Sequence, residues 1–160
     1  MVKSPTELLV REAAGPYVVA HYVIDASVAL KWVWSEESSD RARRYARGAI
    51  ERELQLSVPS LFWYEVANAM RYGRVISQGE NGADPWRLLL AVPMTTVAFR
   101  APAFAHIEAL ARRFDLTAYD ASYVFLAQTL GIPLLTADGR LLERCTSLPF
   151  VWSLDAVAPP

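Results

Sequence analysis

Short apolar blocks alternate along the chain with longer blocks of mixed polar and apolar residues. The segment from Tyr17 to Ile24 is rich in β-branched and aromatic side chains and predicts a buried strand. Similar short blocks predict strands at 55–58, 95–98, 132–136 and 150–153. The longer blocks predict helices at 25–34, 39–53, 60–74, 86–91, 103–113, 119–130 and 138–144. Strands that alternate with helices predict an α/β fold, with a central parallel sheet between layers of helices.

Residues that favour helix ends set several of these boundaries. Ser38 or Ser39 is expected to cap the second helix, and Asp84 followed by Pro85 favours a helix start. Gly131 is expected to end the helix over 119–130.

The predicted organisation is one domain with two appendages. Residues 1–19 form an N-terminal extension, in which Ser4, Pro5, Thr6 and Glu7 predict the start of a short capped helix. Residues 20–155 form the domain, with a polar loop at 79–84, and residues 156–160 form a frayed tail.

Composition excludes several classes of protein. A chain of 160 residues with 53% apolar and 21% charged residues is typical of a folded globular protein. Cys145 is the only cysteine, so no internal disulfide can form, and inert packing is expected for it. His21 and His106 lie far apart without cysteine neighbours, which argues against structural zinc. The apolar block at 17–24 is interrupted by His21 and has no adjacent basic lead, so neither a signal peptide nor a membrane helix is predicted, and the expected location is the cytoplasm.

The formal net charge of −1 does not by itself predict nucleic-acid binding. Setting aside the four acidic residues discussed next leaves the remaining side chains mildly basic. Arginines occur together on the second predicted helix at 41, 43, 44 and 47, with others at 71, 74, 112 and 113. They form either a solvated surface or a path for a polyanion, and the sequence leaves both interpretations open.

Two aspartates each follow a predicted strand and precede a predicted helix. Asp25 follows the strand that ends at Ile24, and Asp138 follows the strand that ends at Thr136. An aspartate in that place commonly caps a helix. The carboxyl ends of strands are also where open α/β sheets bind ligands, so both interpretations stand at this point.

Two further acids lie within helices. Asp120 stands near a helix start, where the helix dipole stabilises a negative charge. Glu65 lies in an apolar helical block, where a buried carboxylate would need a partner, and Asn68 shares its face.

Four carboxylates brought together would repel one another unless cations lay between them. Oxygen ligands and a shortage of histidine favour Mg²⁺ or Mn²⁺. Such ions can polarise a phosphodiester and generate hydroxide from water.

Four segments, in this order, resemble the PIN domain in the form found in VapC-type toxins of prokaryotic toxin–antitoxin pairs. They are VIDASVALKW at 23–32, YEVANA at 64–69, YDASY at 119–123 and LTAD at 135–138, and the resemblance covers about residues 20 to 153. The resemblance implies a three-layer α/β/α sandwich and an Mg²⁺- or Mn²⁺-dependent endoribonuclease. It also implies a homodimer silenced by a cognate antitoxin.

Carried over by motif position, Asp25, Glu65, Asp120 and Asp138 fall on the catalytic, metal-binding acids of that family. Thr136 matches a position whose hydroxyl orders the site, and Ser27 and Asn68 match positions near the metal or its waters.

The sequence departs from the family in two ways. About twenty residues precede the first aspartate, either as a true extension or because the start codon is assigned too far upstream. The early helices are also unusually aromatic, with rings in the core or at an interface, at Trp32, Trp34, Phe62, Trp63 and Tyr64.

Other functions fit these residues less well. A phosphatase with an aspartate nucleophile expects a second aspartate where Ser27 stands, and a dinucleotide-binding domain expects a glycine-rich turn after the first strand. A structure-specific DNA nuclease would need larger insertions. A catalytically inactive PIN-like module that binds RNA or protein remains the alternative, although it predicts a broken acidic quartet.

Overall fold

The computed structural model describes residues 19–72 and 84–156, and five parallel strands form its centre. The strands are β1 (Ala20–Ile24), β2 (Leu54–Pro59), β3 (Thr95–Val97), β4 (Leu134–Thr136) and β5 (Val151–Ser153). Their order in the sheet is β3-β2-β1-β4-β5, and each neighbouring pair is parallel. The predicted α/β fold with a central parallel sheet is confirmed.

Seven helices connect these strands in the described part of the chain. They are α1 (Ala26–Val33), α2 (Ser39–Ile50), α3 (Phe62–Tyr72), α4 (Pro85–Ala91), α5 (Ala103–Phe114), α6 (Ala118–Leu130) and α7 (Gly139–Arg144). The predicted start at Asp84 is confirmed, because its carboxylate accepts a hydrogen bond from the Trp86 amide at 3.0 Å. Gly131 ends α6 in the left-handed conformation (φ 67°), which glycine adopts without steric penalty.

Capping of α2 by a serine side chain was a wrong prediction. Ser38 occupies the cap position but has φ 63°, not the extended backbone that directs a cap side chain at the helix amides. Its hydroxyl donates to Asp155, and the Ser39 hydroxyl donates to the carbonyl of Trp34 at 2.8 Å. Both serines therefore secure the loop before α2.

The helix α2 also ends earlier than predicted, at Ile50 and not at Glu53. Arg52 adopts a left-handed conformation (φ 62°), which an α-helix cannot contain, so the chain turns there towards β2.

The order of the strands creates a topological switch point beside β1. The chain runs from β1 to β2 and β3 on one side, and then returns to place β4 and β5 on the other side. All strands point the same way, so their carboxyl ends lie along one edge of the sheet. The order reverses between β1 and β4, and such a switch point is where α/β sheets bind ligands.

Aromatic side chains fill part of the core between the sheet and α2. Tyr22 on β1 packs edge-to-face against Tyr45 on α2, with ring centroids 5.4 Å apart, and against Trp152 on β5 at 6.3 Å. The Tyr45 side chain is fully buried, and its hydroxyl has no hydrogen-bond partner among the described residues. Burial raises the pKa of this hydroxyl, which therefore stays protonated.

Replacing Tyr45 with phenylalanine is expected to raise the free energy of unfolding or leave it unchanged. The variant keeps the ring packing and removes an unsatisfied polar group, whose burial costs about 1–3 kcal/mol. Urea denaturation of wild type and Tyr45→Phe measures the difference. A loss of more than about 1 kcal/mol would show that the hydroxyl makes a stabilising hydrogen bond, through water for example.

Several segments whose structure was predicted from the sequence lie outside the described residues. These are the 1–19 extension with its capped helix (all but its last residue), most of the 79–84 loop, the end of the helix predicted over 60–74, and the tail beyond residue 156. Cys145 is buried, and burial raises the pKa of its thiol to about 11, as inert packing predicts. Within 19–72 and 84–156, no helix combines the length and the apolar character needed to cross a bilayer.

Candidate active site at the carboxyl edge of the sheet

Asp25 lies at the switch point, directly after β1. Its side chain is 6% exposed and caps α1, where it accepts a hydrogen bond from the Val28 amide at 3.2 Å. Two hydroxyls also donate to it, one to each oxygen. Ser27 donates to Oδ1 at 2.5 Å, and Thr136 donates to Oδ2. The carboxylate is therefore fixed by three donors.

The direction of those two hydroxyl bonds is set by the loop after β4. The Ala137 amide donates to the Ser27 hydroxyl at 2.9 Å, and the Asp138 amide donates to the Thr136 hydroxyl at 2.9 Å. Each hydroxyl oxygen thus accepts from the backbone, which leaves its proton to point at Asp25. Ser27 and Thr136, predicted as supporting residues, join the α1 start to the β4–α7 loop at this point.

Asp138 caps α7 on the other side of the switch point. Its Oδ1 accepts from the amides of Arg140 at 2.8 Å and Leu141 at 3.2 Å. Asp25 and Asp138 are therefore helix caps and also lie at the edge where a ligand would bind. The two interpretations left open by the sequence are compatible in this fold.

Glu65 on α3 is half-buried and accepts a hydrogen bond from the hydroxyl of Tyr123 on α6. Burial raises the pKa of Glu65 to about 7; the Tyr123 bond opposes this rise, and the charges of Asp25 and Asp120 add to it. Tyr123 was not among the site residues predicted from the sequence. Two features of the sequence could have indicated this residue. A buried glutamate needs a hydrogen-bond partner, and Tyr123 lies one helical turn after Asp120.

Asp120 stands in the first turn of α6. The capping residue Thr117 accepts from the Asp120 amide at 3.1 Å, and its hydroxyl donates to Asp120 Oδ2 at 2.8 Å. This reciprocal pair fixes the start of α6 and the direction of the Asp120 side chain. Asn68, the remaining predicted supporting residue, lies exposed on α3.

The four predicted acids form one electrostatic group. Burial raises the pKa of Asp25 to about 6, against the hydrogen bonds from Ser27, Thr136 and Val28, and the charge of Asp138 adds to the rise. The charges of Asp25 and Asp120 also add to the rise in the pKa of Glu65 that burial causes. Pairwise charge repulsion thus links four acids that come from separate parts of the sequence.

Comparison with known proteins identifies the family of this chain. The family model described as PIN domain matches residues 22–146, from within β1 to just after α7. The chain belongs to the PIN domain family. In that family it is similar to Ribonuclease VapC3 of Pyrobaculum aerophilum, with 32% identity over 79% of this chain and 95% of the relative. Ribonuclease VapC9 of Mycobacterium tuberculosis is 36% identical over 76% of this chain and 88% of the relative.

The PIN fold is also similar to a solved structure. The crystal structure of PAE2754 from Pyrobaculum aerophilum superposes with a TM-score of 0.58 at 24% identity, and the match covers 85% of this chain and 92% of that one. This likeness concerns the fold alone.

The donor set of this PIN domain fits a hard divalent cation in its chemistry. It consists of carboxylate and hydroxyl oxygens, and the pKa values of Asp25 and Glu65 are raised, chiefly by burial and further by neighbouring acidic charges. In the described residues, no three acidic, histidine or cysteine side chains converge closely enough to hold one ion. The carboxylates accept protein hydrogen bonds instead. A carboxylate oxygen that accepts one such bond keeps a second lone pair for a metal.

The aromatic residues of this PIN domain divide between core and surface. Phe62 is fully buried, and Trp32 is buried with its indole N–H donating to the Ala42 carbonyl at 3.0 Å. Trp63 is partly buried and donates to Thr96 at 3.1 Å. Tyr64 is 76% exposed, so this ring is available to a partner. Trp34 is partly buried.

The arginines also divide. Arg41 donates to the Asp155 carbonyl at 2.8 Å, and Arg43 donates to the Trp32 carbonyl at 3.3 Å, so both serve the fold. Arg44 and Arg47 on the same helix are exposed. Among the other arginines, Arg112 forms an ion pair with Glu108. The guanidinium of Arg113 lies over the ring of Phe114, and that of Arg71 lies over the ring of Tyr72. Arg74 lies outside the described residues.

Proposed function

We propose that this protein is a divalent-metal-dependent endoribonuclease and that Asp25, Glu65, Asp120 and Asp138 bind its Mg²⁺ or Mn²⁺. The observation that carries the proposal is the junction at the carboxyl ends of β1 and β4, where Asp25 and Asp138 cap helices and the hydroxyls of Ser27 and Thr136 join the two segments. The charges of Asp25 and Asp120 both act on Glu65, which adds the other two acids to this group. Relatives that bear the name ribonuclease support RNA as the substrate.

A bound Mg²⁺ or Mn²⁺ would polarise a phosphate oxygen. It would also lower the pKa of a water bound to it, so that hydroxide becomes available near neutral pH. Neighbouring groups of the protein hold the carboxylate oxygens of the proposed ligands in place. Asp25 is fixed by the hydroxyls of Ser27 and Thr136, and Asp138 is fixed by the first amides of α7. Because these contacts come from the backbone, from the buried Thr136 hydroxyl and from the partly buried Ser27 hydroxyl, Asp25 and Asp138 are preorganised before substrate binds.

The same proposal includes a biological role. The protein would act in the cytoplasm as the toxin of a type II pair, as a homodimer, and a cognate antitoxin would silence it. Exposed large apolar side chains on α3 and α4 support a protein partner: Tyr64, Tyr72, Leu88 and Leu90.

Cleavage of purified RNA tests the enzymatic proposal. We expect no cleavage by protein stripped with a chelator, and recovery when Mn²⁺ or Mg²⁺ is added in excess of the chelator. Asp120→Asn is expected to lose about 10-fold or more of the activity, while the exposed control Glu143→Gln keeps it. RNA binding without cleavage under every metal condition would instead favour the inactive binding module.

A further inference from the structure

We propose that Tyr123 is a positioning residue of the nuclease site, whose hydroxyl holds the Glu65 carboxylate beside Asp25 and Asp120. The inference rests on the proposed metal-dependent function and adds a residue to it. Its basis is the contact between two buried or half-buried groups from different helices. The Tyr123 side chain is 1% exposed, and its hydroxyl donates to Glu65 Oε2.

The Tyr123 hydroxyl lies near the start of α1 as well as near Glu65. The backbone N–H of Ala26, the first residue of α1, acts on this hydroxyl and opposes the rise of its pKa that burial causes. A phenol hydroxyl has one proton to donate, and Glu65 is its acceptor. The hydroxyl therefore lies between the α1 start, which Asp25 caps, and the carboxylate on α3.

Glu65 needs such a restraint because its neighbours oppose its position. Asp25 and Asp120 both repel its charge. A glutamate side chain has three rotatable bonds, and the adjacent positions 64, 67 and 68 on α3 are exposed, so solvent lies within reach. Without a donor on the inner side, the carboxylate would lower its energy by turning outwards.

The helix α6 therefore has two tasks at the site. Asp120 and Tyr123 are three residues apart on this helix, so they lie on neighbouring positions of one face. Asp120 presents a carboxylate directly, and Tyr123 acts through Glu65. Because α6 packs against β1 and β2, a single rigid helix fixes both relative to the sheet.

The direct test is Tyr123→Phe, which keeps the buried ring and removes only the hydroxyl. Mn²⁺ binding is measured by calorimetric titration, and RNA cleavage is measured at several Mn²⁺ concentrations. We expect Mn²⁺ affinity to fall by about 10-fold or more, as for other residues that orient metal ligands. Excess Mn²⁺ should restore part of the cleavage. The matched control is Tyr119→Phe, which removes a hydroxyl from a ring on the same helix that is 64% exposed, and it should behave as wild type.

A double-mutant cycle separates positioning from a general structural role. In a Glu65→Gln background, adding Tyr123→Phe should change Mn²⁺ affinity little, because the carboxylate that the hydroxyl orients is already absent. A merely structural Tyr123 would lower the melting temperature and change the Mn²⁺ affinity equally in both backgrounds. That result would overturn the inference.

The remaining outcomes are also distinct. If wild type binds Mn²⁺ and cuts RNA, and Tyr123→Phe does both equally well, the positioning role is wrong and the proposed function stands. If wild type neither binds Mn²⁺ nor cuts RNA, the proposed function fails and the inference fails with it. A crystal structure of the wild-type protein with Mn²⁺ requires no variant to fold. It should show Tyr123 Oη within hydrogen-bond distance of Glu65, and separation of these groups would refute the role.

Discussion

Replacing Asp25 with asparagine is expected to lower kcat/KM for RNA by about 100-fold or more, since even residues that only orient metal ligands contribute 10–100-fold. The substitution removes one negative charge from the most buried acid of the site. It also places an amide NH₂ where the protein supplies only donors. The hydroxyls of Ser27 and Thr136 both direct their protons at the two carboxylate oxygens, and one amide oxygen cannot satisfy both without rearrangement.

The fold should survive this change, because it removes a charge that burial disfavours and that Asp138 also repels, which offsets the poorer hydrogen bonding. Cleavage is measured at saturating Mn²⁺, alongside thermal unfolding followed by circular dichroism. The control is Asp40→Asn, an aspartate with a 94% exposed side chain on α2, which should retain full activity. Equal activity of Asp25→Asn and wild type would remove Asp25 from the site.

The metal-free protein is expected to lose stability as pH rises through the weakly acidic range. Both Asp25 and Glu65 have pKa values raised above their ordinary values, from 3.8 to about 6 and from 4.5 to about 7. Between these limits the folded protein keeps protons that the unfolded chain has released. Stability is therefore full below the ordinary values and falls until the pH passes the folded values. We expect a contribution of about 2–4 kcal/mol from the two groups together, after allowance for the solvent near Glu65.

Urea titrations with chelator across this pH range measure the effect. His21 contributes the opposite slope, because burial lowers its pKa, so the informative quantity is the difference between wild type and Asp25→Asn/Glu65→Gln. The double variant should show a flatter profile. Addition of Mn²⁺ near pH 7 should raise the stability of wild type and leave the double variant almost unchanged. Identical pH profiles for the two proteins would contradict raised pKa values of Asp25 and Glu65 in the folded protein.

The elements of the fold followed from sequence because they depend on local patterns. The period of apolar residues located the strands and helices, and Asp84 and Gly131 marked ends that the structure reproduces. Ser38 and the early end of α2 were mispredicted, since left-handed conformations at Ser38 and Arg52 arise from the path of the chain and not from residues that favour them.

The acids of the site were found from motif and position, but their surroundings were not. The contact between Tyr123 and Glu65 joins residues 58 positions apart, and no local pattern indicates which tyrosine approaches a glutamate on another helix. The paired hydroxyls illustrate the intermediate case. Motif position identified Ser27 and Thr136, and only the three-dimensional structure shows that the β4–α7 loop fixes the direction of their protons.

The place of β4 beside β1 has a consequence for how the protein is made. Thr136 reaches Asp25 across 111 positions of sequence, so the first aspartate emerges from a ribosome long before its partners. Until β4 and the loop that follows it have been synthesised, Asp25 has neither the Thr136 hydroxyl nor Asp138 nearby. A nascent chain therefore cannot assemble the centre proposed to cut RNA while most of the chain is still being translated. For the proposed ribonuclease, such a delay would spare the message and the ribosome that produce it.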